Sequence, residues 1–313
     1  MKFVLICCLL FAACSPPHPS LLTEVWAQPN GKVKVLSTTA MIDDIVGRIG
    51  KDRIDHIALI NGEIDPHSYE LVKGDDEKFS IAQVIFYNGL GLEHGASLRY
   101  QLEHHAEAID LGSQITTNLL VDVGGQIDPH VWMDISLWTQ IVRPIVVELS
   151  KIDPEGSEYY EKNGEEIREA MLAEHQSIYD ALQKLPETKR YLVTSHDAFN
   201  YFTRAYLATA VEVENGTWRE RVNAPEGIAP EGQLSTADIQ KTINYLLQHQ
   251  VKVVFPESNV SRDSLKKVIN ACAKNGLVVT ISKDDLYADA MGKADSYLKM
   301  VQYDANVLIE AWK

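Results

Sequence analysis

Two histidines sit in the same tetrapeptide. Ile-Asp-Pro-His occurs in NGEIDPHSYE, ending at His67, and again in GGQIDPHVWMD, ending at His130. Proline fixes its own φ and restricts the residue before it, so each imidazole stands on a loop whose path is partly preset. That suits a metal ligand, with Asp65 and Asp128 available to orient the rings from behind. A third histidine, His196, follows an apolar run in LVTSHDAF, and Asp289 lies in LYADAMG beyond the run LVVTIS. Three imidazoles and one carboxylate make a donor set for one divalent transition metal ion. A single DPH would read as a turn carrying a surface histidine. Two of them, with a third histidine at another strand-to-helix junction, argue for a shared ion.

The remaining candidates are weaker. His18, His56, His94, His175 and His249 read as structural or exposed, and the adjacent pair His104-His105 does not share a helical face. There is no H-E-x-x-H, no G-x-S-x-G and no P-loop, and Ser195 directly precedes His196, the wrong arrangement for a nucleophile and its base. Nothing here points to an enzyme. Asn215 and Asn259 open glycosylation sequons that read as idle. Cys272 sits on the apolar face of VINACAKNG and reads as a buried inert thiol.

The elements that must position these side chains alternate. KVKVLSTTAMIDDIVGRIG reads as strand, turn and amphipathic helix; RIDHIALIN, VIFYN and AIDLG read as further strands. Such alternation predicts a parallel sheet flanked by helices, with ligands bound beyond the carboxyl ends of the strands. From Asp153-Pro154 to Pro186 the pattern becomes one long helix, a stiff spine on the order of 45 Å, weakened but not broken at Gly164. The second half repeats the theme, with RYLVTS, ATAVEV, VKVVFPES and LVVTIS as strands and SRDSLKKVINACAKNG and SYLKMVQYDANVLIEAW as helices. ENGTWRERVNAPEGIAPEGQL is expected as a long Pro/Gly-rich loop, a length usually associated with function or mobility.

Composition sets the outer bounds. At 313 residues, two domains of roughly 100–200 residues are the natural expectation. The net charge of -15 argues against nucleic acid, which needs a basic footprint. MKFVLICCLLFAAC has one lysine and an apolar run of signal-peptide length, too short to span a bilayer. FAAC resembles a bacterial lipobox, with Phe11 where leucine is usual, and would leave Cys14 lipidated at the start of the mature chain. The alternative is cleavage after VWA, at Ala27, giving a soluble periplasmic form.

In order along the chain, DPHSYE, FYNGLGLE, DPHVWMD, TSHDAFNYF, PEGIAPEGQLSTADI and LYADAMG resemble the metal-binding substrate-binding proteins of ABC importers for zinc, manganese or iron. The resemblance covers nearly the whole mature chain. It implies two Rossmann-like α/β lobes joined by one long rigid helix, with a metal in the cleft between them. The implied ligands are His67 and His130 from the N-terminal lobe and His196 and Asp289 from the C-terminal lobe. The implied organisation is a signal peptide at 1–13, a tether at 14–32, lobes at 33–152 and 187–313, and the linking helix at 153–186.

The implied function is extracytoplasmic capture of one Mn²⁺, Zn²⁺ or Fe²⁺ and its delivery to an ABC permease by a monomer. Some manganese-binding relatives carry Glu where His196 stands, and zinc-specific ones often carry a His-rich loop between the first two motifs; this chain has neither feature. Binding needs neutral imidazoles, so affinity should fall as pH drops through about 6.5. The rival readings are a zinc-dependent hydrolase, which would keep an open water position, and a metal-independent surface adhesin.

Overall fold

The computed structural model describes residues 19–230 and 235–313. The expected signal peptide, Cys14, His18 and the stretch 231–234 of the Pro/Gly-rich loop lie outside the described residues.

The N-terminal half is built on parallel strands. Helix α1 (Pro19–Trp26) precedes β1 (Val33–Ser37), α2 (Ala40–Gly50), β2 (Ile54–Ala58), α3 (Asp75–Ile81), β3 (Val84–Tyr87), α4 (Ala96–His104) and β4 (Ala108–Asp110). The strands pair in the order β2-β1-β3-β4, all parallel. Every residue of β1 is buried, as expected of a strand covered on both faces. Successive side chains point to opposite faces. Val35 therefore joins the core under α2, while Leu36 packs with Phe79, Leu98 and Leu102 from α3 and α4. In the segment expected as a tether, Trp26 is buried on this second face and its indole N–H donates to Asp55 O at 3.0 Å.

A small hairpin, β5 (Asp122–Val123) with β6 (Gln126–Ile127), leads into the second DPH motif, followed by α5 (Ile135–Trp138) and α6 (Val142–Ile152). The long helix is present. A single 3₁₀ turn at Pro154–Gly156 enters α7, Ser157–Gln183, 27 residues or about 40 Å. Its buried residues Tyr160, Gly164, Ile167, Met171, Ile178 and Leu182 form one helical stripe against α2, α5, α6 and α12. Gly164 has a packing reason. A Cβ there would lie 2.7 Å from Val146 Cγ2 on α6, so the glycine lets two helices approach closely.

The C-terminal half runs β7 (Leu192–Val193), α8 (Asn200–Phe202), α9 (Ala210–Asn215), β8 (Val222–Asn223), α10 (Thr236–His249), β9 (Val253–Val254), α11 (Asp263–Lys274), β10 (Thr280–Ile281) and α12 (Tyr297–Trp312). β7 pairs parallel with β8 and β9 with β10; Phe255 N–H donates to Val193 O at 2.8 Å and joins the two pairs. Two sequence expectations differ here. ATAVEV is not a strand: Thr209 and Glu212 form a capping box that opens α9, and Val211 and Val213 face solvent. The strand beside β7 is instead Val222–Asn223, inside the segment expected as loop, where two residues are too few to show a period.

One apolar cluster runs from α2 through α6 and α7 to α12, so the two α/β halves share a core. No helix among the described residues is long and apolar enough to cross a membrane.

Candidate metal centre

The first DPH loop follows β2. Asp65 Oδ1 accepts the backbone N–H of His67 at 2.8 Å and its Oδ2 accepts Ser68 Oγ–H at 2.8 Å. Asp65 thus shapes the loop rather than holding the ring. The carbonyl of His67 accepts N–H groups from His94 and Gly95, at 3.2 and 3.0 Å, which ties the loop to the start of α4.

The second DPH loop is held more tightly. Asp128 Oδ1 accepts both the backbone N–H of His130, at 2.9 Å, and its ring Nδ1–H, at 2.7 Å. That bond fixes the tautomer and turns Nε2 inward. Tyr201 donates to Asp128 O at 2.8 Å and Asn88 Nδ2 donates to Pro129 O at 3.0 Å. Asn88 follows β3, and its loop is pinned by the buried Glu93, which accepts Thr38 Oγ1–H, Asn88 N–H and Gly89 N–H at 2.6, 2.8 and 3.0 Å. Burial pushes the Glu93 carboxyl up, against these hydrogen bonds.

His196 follows β7. Glu257, at the end of β9, accepts the backbone N–H groups of Ser195 and His196 at 2.8 and 3.0 Å, and its other oxygen meets His196 Nδ1. The irregular segment that carries Asp289, between β10 and α12, is anchored by Asp304 of α12, which accepts Tyr287 N–H at 2.8 Å. Trp132 crosses between halves. Its indole N–H donates to Ala288 O at 2.9 Å, its carbonyl accepts Tyr297 O–H, and its ring meets His130 edgewise at 5.2 Å.

These supports bring together all four residues singled out from sequence. One donor atom from each of His67, His130, His196 and Asp289 lies within 4.8 Å of the others. Their relative exposures are 1, 0, 0 and 4 %, so water reaches none of them freely. His130 Nε2 is 3.2 Å from His67 Nε2 and 3.4 Å from His196 Nε2. Asp289 Oδ1 is 3.3 Å from His130 Nε2, and Oδ2 is 3.2 and 3.7 Å from the Nε2 atoms of His196 and His67. Four donors around one ion at about 2.1 Å would stand about 3.4 Å apart at tetrahedral angles. The observed spacing fits that figure, and with both Asp289 oxygens facing inward a fifth bond is available to a larger ion.

The electrostatics favour a cation. Burial opposes charge on His130, but the carboxylates of Asp128 and Asp289 outweigh it and lift the ring to about 9. Burial likewise opposes charge on His196, while Glu257 and Asp289 raise the ring well above the usual imidazole range. Burial alone would raise Asp289; the facing His196, His130 and His67 rings instead hold it well below the usual carboxylate range. The site therefore takes up protons unless another cation is there to replace them.

Among the other histidines, His56 pairs with Asp43, His104 stacks on Tyr100, His175 bonds Tyr206 and His249 stacks on Tyr191. His94 is different, with its ring 5.6 Å from that of His67. The supports that sequence reasoning missed are Glu257, Glu93, Asn88 and Trp132. For Glu257 the one available signal was its place directly after the apolar run VKVVFP.

The profile of the family described as ZnuA, zinc-uptake complex component A, periplasmic, matches residues 35–311. The metal-binding protein YtgA of Chlamydia muridarum is 40% identical over 282 residues, covering 89% of this chain and 86% of that protein. The manganese-binding lipoprotein MntA of Bacillus subtilis is 30% identical over 289 residues, covering 90% of each. Among solved structures, Fe(III)-bound YtgA from Chlamydia trachomatis is similar with a TM-score of 0.84 and 39% identity, over 89% of this chain and 97% of that one. The periplasmic zinc-binding protein TroA from Treponema pallidum is similar with a TM-score of 0.81 and 27% identity, over 90% and 99%.

Proposed function

This chain belongs to the ZnuA family of periplasmic zinc-uptake components, and we propose that it captures one transition-metal ion on His67, His130, His196 and Asp289 and delivers it to an ABC permease. It is a metal-binding solute-binding protein and not an enzyme, as its family is. The observation that carries the reading is the convergence of four buried donors within 4.8 Å, from loops of both halves. A protein-filled set of ligands describes a carrier; a hydrolytic zinc site keeps a position for water.

The cargo is Mn²⁺, Zn²⁺ or iron. Three imidazole nitrogens suit zinc and iron, while a bidentate Asp289 would bring manganese within range. Iron is tested in both oxidation states, because the similar YtgA structure holds Fe(III). Raw affinity favours zinc over manganese, so the tightest ion in vitro need not be the physiological one.

In this reading the lobes are 33–152 and 187–313, and the linking segment 153–186 limits their closure. The shared core along α7 supports limited motion. A lipid on Cys14 holds the protein at the outer face of a membrane. Cleavage after Ala27 is the alternative; it would remove the buried Trp26 and its bond to Asp55.

The test is elemental analysis of protein purified without added metal, with thermal-shift titration of the stripped form by Mn²⁺, Fe²⁺, Fe³⁺ and Zn²⁺. One metal per chain and a large upward shift are expected. No metal and no shift would overturn the ligand set.

A further inference from the structure

We propose that Glu93 sets which ion the centre prefers, by fixing the distance between His67 and His130. The proposal rests on the metal-binding reading above.

The turn that Glu93 closes is strained. Gly89, Leu90 and Gly91 follow one another with φ of 70, 55 and 83°. A side chain makes that left-handed region costly, so Leu90 stays there only because its surroundings impose it. Gly89 cannot be replaced freely, because a Cβ there would collide with the Asp110 carboxylate.

Glu93 supplies the constraint. Its side chain is buried, and it accepts Asn88 N–H and Gly89 N–H at 2.8 and 3.0 Å and Thr38 Oγ1–H at 2.6 Å. Thr38 directly follows β1. Its own N–H donates to Phe86 O at 2.9 Å and its carbonyl accepts Ile60 N–H at 3.0 Å. The turn is thus fastened to the middle of the parallel sheet. All three partners donate to Glu93, which calls for a carboxylate. In a glutamine the NH2 would face Gly89 N–H, donor against donor.

The two ends of this segment carry the two DPH loops. Asn88 Nδ2 faces two carbonyls, Gly89 O and Pro129 O, both at 3.0 Å, so the amide nitrogen must point there. Pro129 immediately precedes His130. At the other end the backbone N–H groups of His94 and Gly95 donate to His67 O at 3.2 and 3.0 Å. Segment 88–95 is therefore a brace between the backbones of both ligands, whose Nε2 atoms stand 3.2 Å apart. Its partners Thr38, Asn88 and Gly89 are not ligands, so Glu93 is a positioning residue.

A braced pair suits one ion size. Donor spacings of 3.2 and 3.4 Å match the short bonds of Zn²⁺. The larger Mn²⁺ must push the two loops apart and works against the brace. Loosening it should weaken Zn²⁺ more than Mn²⁺, since selectivity among these ions comes from geometry.

In metal-stripped full chain, Kd for Zn²⁺ and for Mn²⁺ is measured by competition, and the visible spectrum of bound Co²⁺ reads the coordination geometry. Glu93→Gln and Asn88→Ala should each lose about 10–100-fold for Zn²⁺ and several-fold less for Mn²⁺, with an altered Co²⁺ spectrum. Should Glu93→Gln fail to fold, Thr38→Val decides, because it removes one of the three bonds at nearly constant volume. The preference for Zn²⁺ should shrink there and return in Thr38→Ser, which restores the hydroxyl.

Equal losses for the two ions, or an unchanged Co²⁺ spectrum, would make Glu93 a purely structural residue and overturn the proposal while the metal site stands. Unchanged Kd values would overturn it in the same way. No Zn²⁺ binding by the unaltered chain would overturn the metal-binding reading and this proposal with it.

Discussion

The Nε2 atoms of His67 and His130 face each other at 3.2 Å, although 63 positions separate the two residues in the chain. Asp128 holds the Nδ1–H of His130, so its Nε2 carries a lone pair when the ring is neutral. Two such nitrogens buried at this distance need a proton or a metal ion between them. The same carboxylates that make protonation easy also favour a divalent cation, and proton and metal compete for one place.

Replacing any one of His67, His130, His196 or Asp289 by alanine removes a donor from the cluster. Affinity for Zn²⁺ should fall by more than the roughly 10–100-fold typical of losing an outer partner. Competition titration against a chromophoric chelator measures it. A single variant that keeps near-native affinity would contradict the assignment of that ligand.

Glu257→Gln keeps the volume and an acceptor for Ser195 and His196 N–H but removes the charge behind the His196 ring. Metal affinity should drop by about 10–100-fold with little change in metal-free stability. Glu257→Ala should do both, because two buried N–H groups lose their partner at about 1–3 kcal/mol each. Calorimetric titration and thermal unfolding of the stripped form separate the two effects.

The pH dependence should extend above the ordinary imidazole range. The sequence alone places the fall at about 6.5, but the metal-free His130 ring is lifted to about 9. A metal-bound ring cannot hold that proton, so the metal-free form is the more protonated one below about 9 and binding must expel protons. Apparent affinity should rise with pH through neutrality and level off only above about 9. Titrations in buffers of different ionisation heat count the protons released. Flat affinity from about pH 9 to pH 6, spanning the imidazole range, would contradict the three-histidine centre.

Gly164→Ala should destabilise the protein although alanine is the better helix former by about 1 kcal/mol. The new methyl would lie 2.7 Å from Val146 Cγ2, and overpacking of this kind costs about 1–3 kcal/mol. The thermal midpoint should fall in Gly164→Ala and recover when Val146→Ala is added. A rise in the single variant would show that α6 can move away without cost.

Metal should stabilise the fold by mass action, by about 4 kcal/mol at a thousandfold excess over Kd. A chelator should lower the thermal midpoint and added Zn²⁺ restore it. No difference between stripped and loaded protein would mean the ion does not bind the folded state selectively.

How much of this was legible beforehand depends on how local each signal is. His67 and His130 announce themselves because the proline and aspartate that preset their loops are their immediate neighbours. His196 and Asp289 could be named because each follows an apolar strand, where an α/β sheet presents its ligands. The first strands of the N-terminal half are legible as short, largely buried runs, and the long helix carries enough residues to display a period of 3.6.

What the sequence could not determine is whatever depends on a partner far along the chain. Glu257 is one acidic residue among many until folding brings it under His196, 61 positions away. His94 looked like an exposed histidine because its approach to His67 is made by two backbone bonds across the fold. ATAVEV has the composition of a strand, yet a four-residue capping box opened a helix there, and the neighbouring strand place went to Val222–Asn223. Motif and position along the chain therefore singled out the four residues whose donor atoms converge. Only the tertiary structure decided which carboxylates stand behind them, and so how strongly the site prefers a cation, because electrostatic coupling depends on distance in space and not on separation in sequence.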